Sequence, residues 1–520
     1  MYIFIQILIF AMISCSLFIR LDFMDYSNRN IDFYVVIFGI ATIVLLTALN
    51  CNNCNKNDRA NHRFITICTF FSLLLSIVGI FQYLNITGIP NGVFRITGCF
   101  DNPLGFGLGI SLLFPISVFP LYQNKASTKF EYILSLTAGV CSCLVAILSS
   151  SRCTLLSCII VLIYMLLDTG SKYRNKFYNY SLLFVIGISL VLVYEFILKS
   201  DSLRGRLLIW SVCYEMFKDH PLLGFGYGGF DANYMIYQSN FLSIHPSESY
   251  AILADNVRHP MNEFIKILIN YGIIGLSTIS ICVILVLKSA ICNNKNNRLI
   301  IVSELIVLIV FSTFSYPFHY TISWIFCIGI VLFELKYLLK FAAVRFLLII
   351  LVVITFVTTT EDLRNHIKWM NAIECTNLGK TNTAIGMYKK LLPKMRHNFM
   401  FIYDYSALLF FAGMHDDCNK VSSYAESIRK DYDLSMLRAD NYRYSGQFDN
   451  ALKTYEIAAK MIPCRFVPLE CMLDLYIESE QEDKAFDIAK RIVCKRPKIS
   501  SDRISCIKAK ANQYIKQQEI

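Results

Sequence analysis

The sequence predicts an all-α polytopic membrane protein of about eleven transmembrane helices, with a large extracytoplasmic loop and an α-solenoid after the last span. Three observations carry that prediction. Hydrophobic residues make up 55% of the chain and charged residues only 17%, against roughly 25% charged in soluble domains. The apolar residues gather into runs long enough to cross a bilayer instead of spreading evenly. Beyond residue 360 those runs stop, and an internal period of 33 or 34 residues takes over. The formal charge of +11 is not that of a nucleic-acid binder, because Lys and Arg stand between apolar segments and no basic run tracks a phosphate backbone.

A hydrocarbon core of about 30 Å needs about 20 apolar residues of helix, since every backbone group must be satisfied within the segment. Eleven stretches qualify, near residues 2–19, 33–49, 64–84, 102–121, 131–150, 153–168, 180–198, 264–287, 299–316, 318–335 and 345–358. The fourth carries Pro103, Pro115 and Pro120, the sixth is short, and Pro317 divides the pair near Tyr316. YIFIQILIFAMISCSLF at the start has neither a positive n-region nor a small-residue cleavage site after it, so it reads as a retained helix.

Positive residues are held on the cytoplasmic side, and they recur in alternate loops. Lys56, Arg59 and Arg63 share one loop, Lys125 and Lys129 a second, and Lys172, Arg174 and Lys176 a third. Lys288, Lys295 and Arg298 mark a fourth, and Lys336, Lys340 and Arg345 a fifth. The N-terminus is then cytoplasmic, while loop 199–263 and everything after residue 358 lie outside. Two domains follow: a membrane domain over 1–358 and an extracytoplasmic helical-repeat domain over 362–520. The 19 cysteines lie mostly inside apolar stretches, where a thiol behaves as a small hydrophobe. Cys51 and Cys54 form a lone CxxC without a second pair or spaced histidines, so it reads as a loop, and no metal or cofactor is expected.

In the last segment Gly379, Gly413 and Gly446 are 34 and 33 residues apart, while Ala451 and Ala485, and Pro463 and Pro497, are 34 apart. Within SGQFDNALKTYEIAAKMIP, Gly446 occupies the turn, Ala451 and Ala458 the close helix approach, Tyr455 the gap and Pro463 the helix end. The pattern resembles tetratricopeptide repeats, about three and a half units of them, the second degenerate because Cys418 replaces the small Ala. Such a domain serves either as a stabilising cap or as a concave surface for a protein or glycan partner.

Arginine on the outer side works against the positive-inside bias. Four stand there: Arg95 in FRITGCFDNPLGFG, Arg152 in SSSRCTLLS, and Arg204 and Arg206 in LRGRLLIW. Any one alone reads as a snorkelling anchor at a helix junction. As a group they suit a pyrophosphate, because a guanidinium presents a planar fork to phosphate oxygens. His259 meets the next helix beside Pro260, with Asn262 and Glu263 on roughly the same turn. A helix-start residue is its plain role; a general base is the chemical one, with Glu263 as the fallback. His220 in DHPLLG reads as shaping its loop, and His245 and His319 are the other outward histidines. Gly224, Gly226, Gly228 and Gly229 permit a tight backbone path; the lack of a preceding strand and their place on the outer side both argue against a nucleotide loop.

Taken in order, the Arg followed four residues later by Trp210, then HPLLGFGYGGF, then HPMNEF leading into a helix with GIIGL, resemble the O-antigen ligase superfamily of bacterial membrane glycosyltransferases. That superfamily also holds O-antigen polymerases and protein O-oligosaccharyltransferases. RITGCFDNP resembles its Arg-x-x-Gly-x-Phe-x-Asn-Pro segment and SSSRCTLL its Ser-Arg-Gly segment, with Cys153 where glycine is commoner. Met261 stands where the family more often has histidine directly before the Asn. The resemblance covers residues 64–335.

The resemblance implies a multi-pass enzyme of the bacterial inner membrane, with the repeats periplasmic. Its donor would be a glycan on undecaprenyl pyrophosphate, and its product O-antigen ligated to lipid A core in lipopolysaccharide biosynthesis. Protein and glycan acceptors are the alternatives. Pyrophosphate is already a good leaving group, so such a reaction needs its charge stabilised and a proton taken from the acceptor. On that reading Arg95, Arg152, Arg204 and Arg206 hold pyrophosphate, His259 or Glu263 is the base, and Asn262, Trp210, His220, Gly224 and Gly226 shape the site. A transporter or flippase is the reading from another class; the ionisable residues at mid-membrane depth and inverted repeats it would require are not evident in the sequence.

Overall fold

A computed structural model describes residues 12, 37–44, 58–87, 94–123, 128–167, 200–292, 295–334 and 341–518. The structure is all-helical, 82% helix with no strand among the described residues, as the composition requires. The predicted spans near 2–19 (save Met12), 33–49 (save 37–44) and 180–198 lie outside those residues. So do Cys51, Cys54, Lys56, Lys125, Lys172, Arg174, Lys176, Lys336 and Lys340. The chain divides into two compact units, Met1–Ser200 with Met261–Phe264 and Ser277–Leu363, and Asp201–Pro260 with Ile265–Leu276 and Arg364–Ile520.

The first unit is the apolar bundle: α1 (Asp58–Tyr83), α2 (Pro103–Gln123), α3 (Lys129–Leu148), α4 (Arg152–Leu167), α9 (Lys295–Phe314) and α10 (Thr321–Glu334), with parts of α8 (Glu263–Cys292) and α11 (Ala342–Asn377). Five described helices, α1, α2, α3, α8 and α11, are long and apolar enough to cross a membrane, and α4 and α10 are shorter apolar helices. Helix α2 is the hub, 89% buried over its span against 6% for α8, and it packs on α1, α3, α4 and α9. Pro115 and Pro120 lie inside it, and Ser117 Oγ of the same helix donates to Phe114 O at 2.8 Å. Polar side chains in the bundle pair with each other: Ser142 meets Ser72 at 3.0 Å and Ser76 at 3.2 Å, and Ser157 donates to Ser111 at 2.9 Å. Such pairs join helices where the hydrophobic effect cannot.

One expectation is corrected here. Glu304 lies within α9, 2% exposed, and neither carboxylate oxygen has a hydrogen-bond partner among the described residues. A buried ionisable residue is therefore present within the apolar bundle; it is inconspicuous in the sequence because a single Glu leaves the mean hydropathy of its run nearly unchanged.

The second unit holds α5 (Ser200–Asp219), α6 (Gly229–Ile244), α7 (Glu248–Leu253) and a part of α8. With them are the end of α11 and the helices α12 (Thr381–Met395), α13 (Phe399–Phe411), α14 (His415–Ile428), α15 (Tyr432–Tyr444), α16 (Phe448–Met461), α17 (Val467–Glu478), α18 (Glu482–Cys494) and α19 (Asp502–Gln518). Gly379, Gly413 and Gly446 occupy equivalent turns, and Glu480 takes the fourth. Ala384, Cys418, Ala451 and Ala485 are each fully buried near the start of the helix that follows the turn. Cys418 thus fills the place of the small Ala. The last predicted span and the first repeat helix are one continuous helix, the 36-residue α11.

Segment 229–255 is built onto the segments between helix pairs. Lys430 N donates to Ala232 O at 3.0 Å, Gln238 Nε2 to Met461 O at 2.8 Å, and Cys464 Sγ to Ala254 O at 3.5 Å. Asp255 receives Lys498 Nζ at 2.9 Å and faces Arg465 at 3.7 Å, while Arg496 meets Glu248 at 3.2 Å. The two lysine and arginine partners hold the Asp255 carboxyl below its usual range against the opposing effect of burial, the largest single influence.

Candidate functional site

In the second unit the site is assembled by two clamps. The first is Trp210, whose indole Nε1 donates to Pro260 O at 2.9 Å and so fixes the backbone immediately after His259. Arg206 and Trp210 are four residues apart and share a face of α5, whereas Arg204, two residues from Arg206, is turned away from it. Arg206 is correspondingly half-buried and Arg204 exposed. His259 itself is half-buried. Four residues before it, Asp255 is tied to Lys498 and Arg465, so the stretch carrying His259 is anchored on both sides.

The second clamp joins the glycine-rich loop to a kink in α8. Phe225 N donates to Ile269 O at 2.9 Å and Gly226 N to Asn270 O at 2.8 Å; in return Ile273 N donates to Pro221 O at 2.9 Å and Ile274 N to Leu222 O at 3.2 Å. Gly272 makes the kink, with φ 64° and ψ −166°. A Cβ there would stand 2.1 Å from Leu222 O, and one at Gly224 would stand 2.5 Å from Ile269 O. Both positions therefore demand glycine, on grounds of packing as well as conformation. Asn270, which sequence reasoning missed, is 6% exposed and its Oδ1 accepts from Phe230 N at 2.9 Å, fixing the start of α6. Its signal was available in NYG, an Asn two residues before a glycine inside an apolar run. His220 is exposed, edge-on to Phe225 with centroids 4.4 Å apart, and His245 caps the end of α6 against Phe241.

In the first unit Asn262 Nδ2 donates to Thr313 O at 2.8 Å. Glu263 opens α8 and is 7% exposed, at the helix end where the macrodipole favours a carboxylate. Met261, in the place of the family's histidine, has φ 55°. Arg95 is exposed, 6.0 Å from the Tyr83 ring, on a segment that Gln82 grips through Thr97 N at 3.1 Å and Gly98 N at 2.8 Å. Arg152 is the first residue of α4 and half-buried, next to Ser151, which receives Thr154 Oγ1 at 2.8 Å. A cation at a helix N-terminus opposes the macrodipole, so this placement costs stability unless an anion is the intended neighbour.

A polar network in the same unit was not foreseen as one. Asn102 accepts from Leu104 N at 2.8 Å and Gly105 N at 3.2 Å, capping α2, and donates to Tyr316 Oη at 3.0 Å. Tyr320 Oη meets Asp101 Oδ1 at 3.0 Å and Asn102 Oδ1 at 3.1 Å. His319, 9% exposed, lies between the Tyr316 and Tyr320 rings. The Asp101–Asn102 pair of the FDNP segment is thus joined to YPFHY, more than 200 residues later. Among the described residues no group of three His, Cys, Asp or Glu side chains is placed to hold a metal ion.

No curated protein matches the chain. A family model described as O-Antigen ligase matches residues 137–280, which takes in every candidate residue named above except Arg95 and the 101–102 and 316–320 network, and supports a membrane glycosyltransferase-like enzyme of the O-antigen ligase superfamily.

Proposed function

We propose that this chain transfers a glycan from undecaprenyl pyrophosphate to an acceptor hydroxyl at the outer face of the bacterial inner membrane, as an O-antigen ligase acting on lipid A core. The match over residues 137–280 carries the reading, and the double anchoring of the His259 segment supports it. The acceptor oxygen attacks the sugar C1, the C1–O bond to phosphate breaks, and the pyrophosphate leaves with the electron pair. His259 takes the acceptor proton, with Glu263 as the fallback base, and Arg206, Arg204, Arg152 and Arg95 stabilise the departing charge. Asn262, Trp210, His220, Gly224 and Gly226 hold the segments in place.

General-base assistance is typically worth about 10²- to 10⁴-fold, so purified His259→Ala should lose that much transfer while Glu263→Gln retains more. Loss confined to the Glu263 variant moves the base there; full activity in both removes the segment from the chemistry. Lysine keeps the charge but not the fork, and Arg206 shares a helix face with Trp210, so Arg206→Lys should be more severe than Arg204→Lys. Deleting the gene and examining both lipopolysaccharide and glycoproteins identifies the acceptor: loss of protein glycan with intact lipopolysaccharide refutes ligation to lipid A core. Reporter fusions beyond residue 365 should read extracytoplasmic.

A further inference from the structure

Leu222 and Leu223 are 63% and 71% exposed at the tip of the glycine-rich loop, an unusual place for two adjacent leucines. They do not stand alone. The hydrogen bonds from Ile273 N to Pro221 O and from Ile274 N to Leu222 O lay this tip against α8. Tyr271, Ile273 and Ile274 are themselves exposed beside it, and the exposed apolar surface continues along the same helix through Ile281, Ile284 and Leu285.

The helix measures the depth of that tip. Lys288 is the first charged residue met along α8 beyond the kink. At 1.5 Å per residue, Ile274 stands about 21 Å up the helix from Lys288, inside a hydrocarbon core of about 30 Å. Even with the membrane edge moved to Cys292 the height is about 27 Å, still within the core. Non-helical backbone survives at such depth only if its polar groups are satisfied by protein. Three of the tip's amides meet that condition, Gly224 N with His220 O, Phe225 N with Ile269 O and Gly226 N with Asn270 O, and the Pro221 and Leu222 carbonyls meet it through the two bonds from α8. Exposed Lys218, Asp219 and His220 directly precede the tip and supply a polar rim.

We propose that residues 221–224 form a re-entrant wedge whose two leucines are seated among the acyl chains of the bilayer leaflet opposite the Lys288 end. The occupant is the phospholipid bilayer itself, and the inference does not depend on the glycan-transfer reading. The test places the photo-crosslinking residue p-benzoylphenylalanine at position 223 in the full-length protein, reconstituted in phosphatidylethanolamine–phosphatidylglycerol vesicles free of polyprenyl lipid. The same probe at exposed Ile281 in mid-span is the positive reference. After irradiation, peptides from both positions should carry the mass shift of one phospholipid. A lipid adduct at 281 with none at 223 overturns the wedge. An adduct at 223 that forms only after a polyprenyl phosphate is added overturns the bilayer as its occupant.

Discussion

Gln238 joins three parts of the second unit, and its replacement has consequences that can be worked out from the structure. The side chain is completely buried; Nε2 donates to Asp255 O at 3.1 Å and to Met461 O at 2.8 Å, and Oε1 accepts from Tyr234 Oη at 3.0 Å. Both amide protons and the oxygen are therefore used, a set no other side chain of that shape reproduces. Gln238→Leu keeps the volume but strands two carbonyls and a hydroxyl. At about 1–3 kcal/mol for each buried group left unpaired, with imperfect additivity, the loss should be about 3–5 kcal/mol. For a unit of this size the thermal midpoint should fall by about 6–20 °C. Because Asp255 lies four residues before His259, the loosened stretch should also expose the Arg258–His259 bond, so trypsin should cut after Arg258 faster in the variant. Gln238→Glu should be at least as damaging at neutral pH, where a carboxylate faces two carbonyls, and recover partly on acidification as the protonated acid regains a donor. A Leu variant that unfolds within about 0.5 kcal/mol of the parent, with unchanged cleavage, refutes the clamp.

Other perturbations follow from single features. Gly272→Ala must both adopt φ 64° and displace Leu222 O, and should cost about 3 kcal/mol or more. Gly205→Ala, in a helix with open space around it, should be neutral or gain about 0.5–1 kcal/mol; equal thermal shifts for the two refute the packing argument. Burial lifts the Asp404 carboxyl to about 6. Its folded state holds the proton more tightly than the unfolded chain, so this group's contribution to stability should be greatest below about pH 4 and decline by about 3 kcal/mol as pH rises through 6. Asp404→Asn should remove that decline from a pH series of unfolding midpoints, and an unaltered series refutes it. Glu304→Met takes an unpartnered carboxyl out of α9 and should raise the unfolding midpoint in detergent by the equivalent of about 1–3 kcal/mol; a marked fall would mean the carboxyl has a partner worth finding.

The helical class, the apolar bundle and the 34-residue period were legible because each is a statement about runs and periods. The turns at Gly379, Gly413 and Gly446 and the buried small residues at Ala451 and Ala485 appear where that period puts them. Cys418, a departure by type, keeps the place by size. The candidate residues were legible as motifs, but what each one touches was not. That Trp210 holds Pro260 could not be read from a spacing of 50 residues. The bond from Asn102 to Tyr316 spans 214.

What the sequence by itself determined, then, was local: which segments are apolar, which repeat, and which polar residues stand where positive charge is disfavoured. These follow from nearest-neighbour chemistry and from the thickness of a bilayer. What only the tertiary structure decided was pairing. The glycine-rich loop is shaped by Gly272 and Asn270 of a later helix, and segment 229–255 is held by the segments between repeat helices. Most of those contacts end on main-chain carbonyls and amides, which every residue carries alike, so the sequence can mark a side chain such as Asn270 or Gln238 but not the partner it will meet.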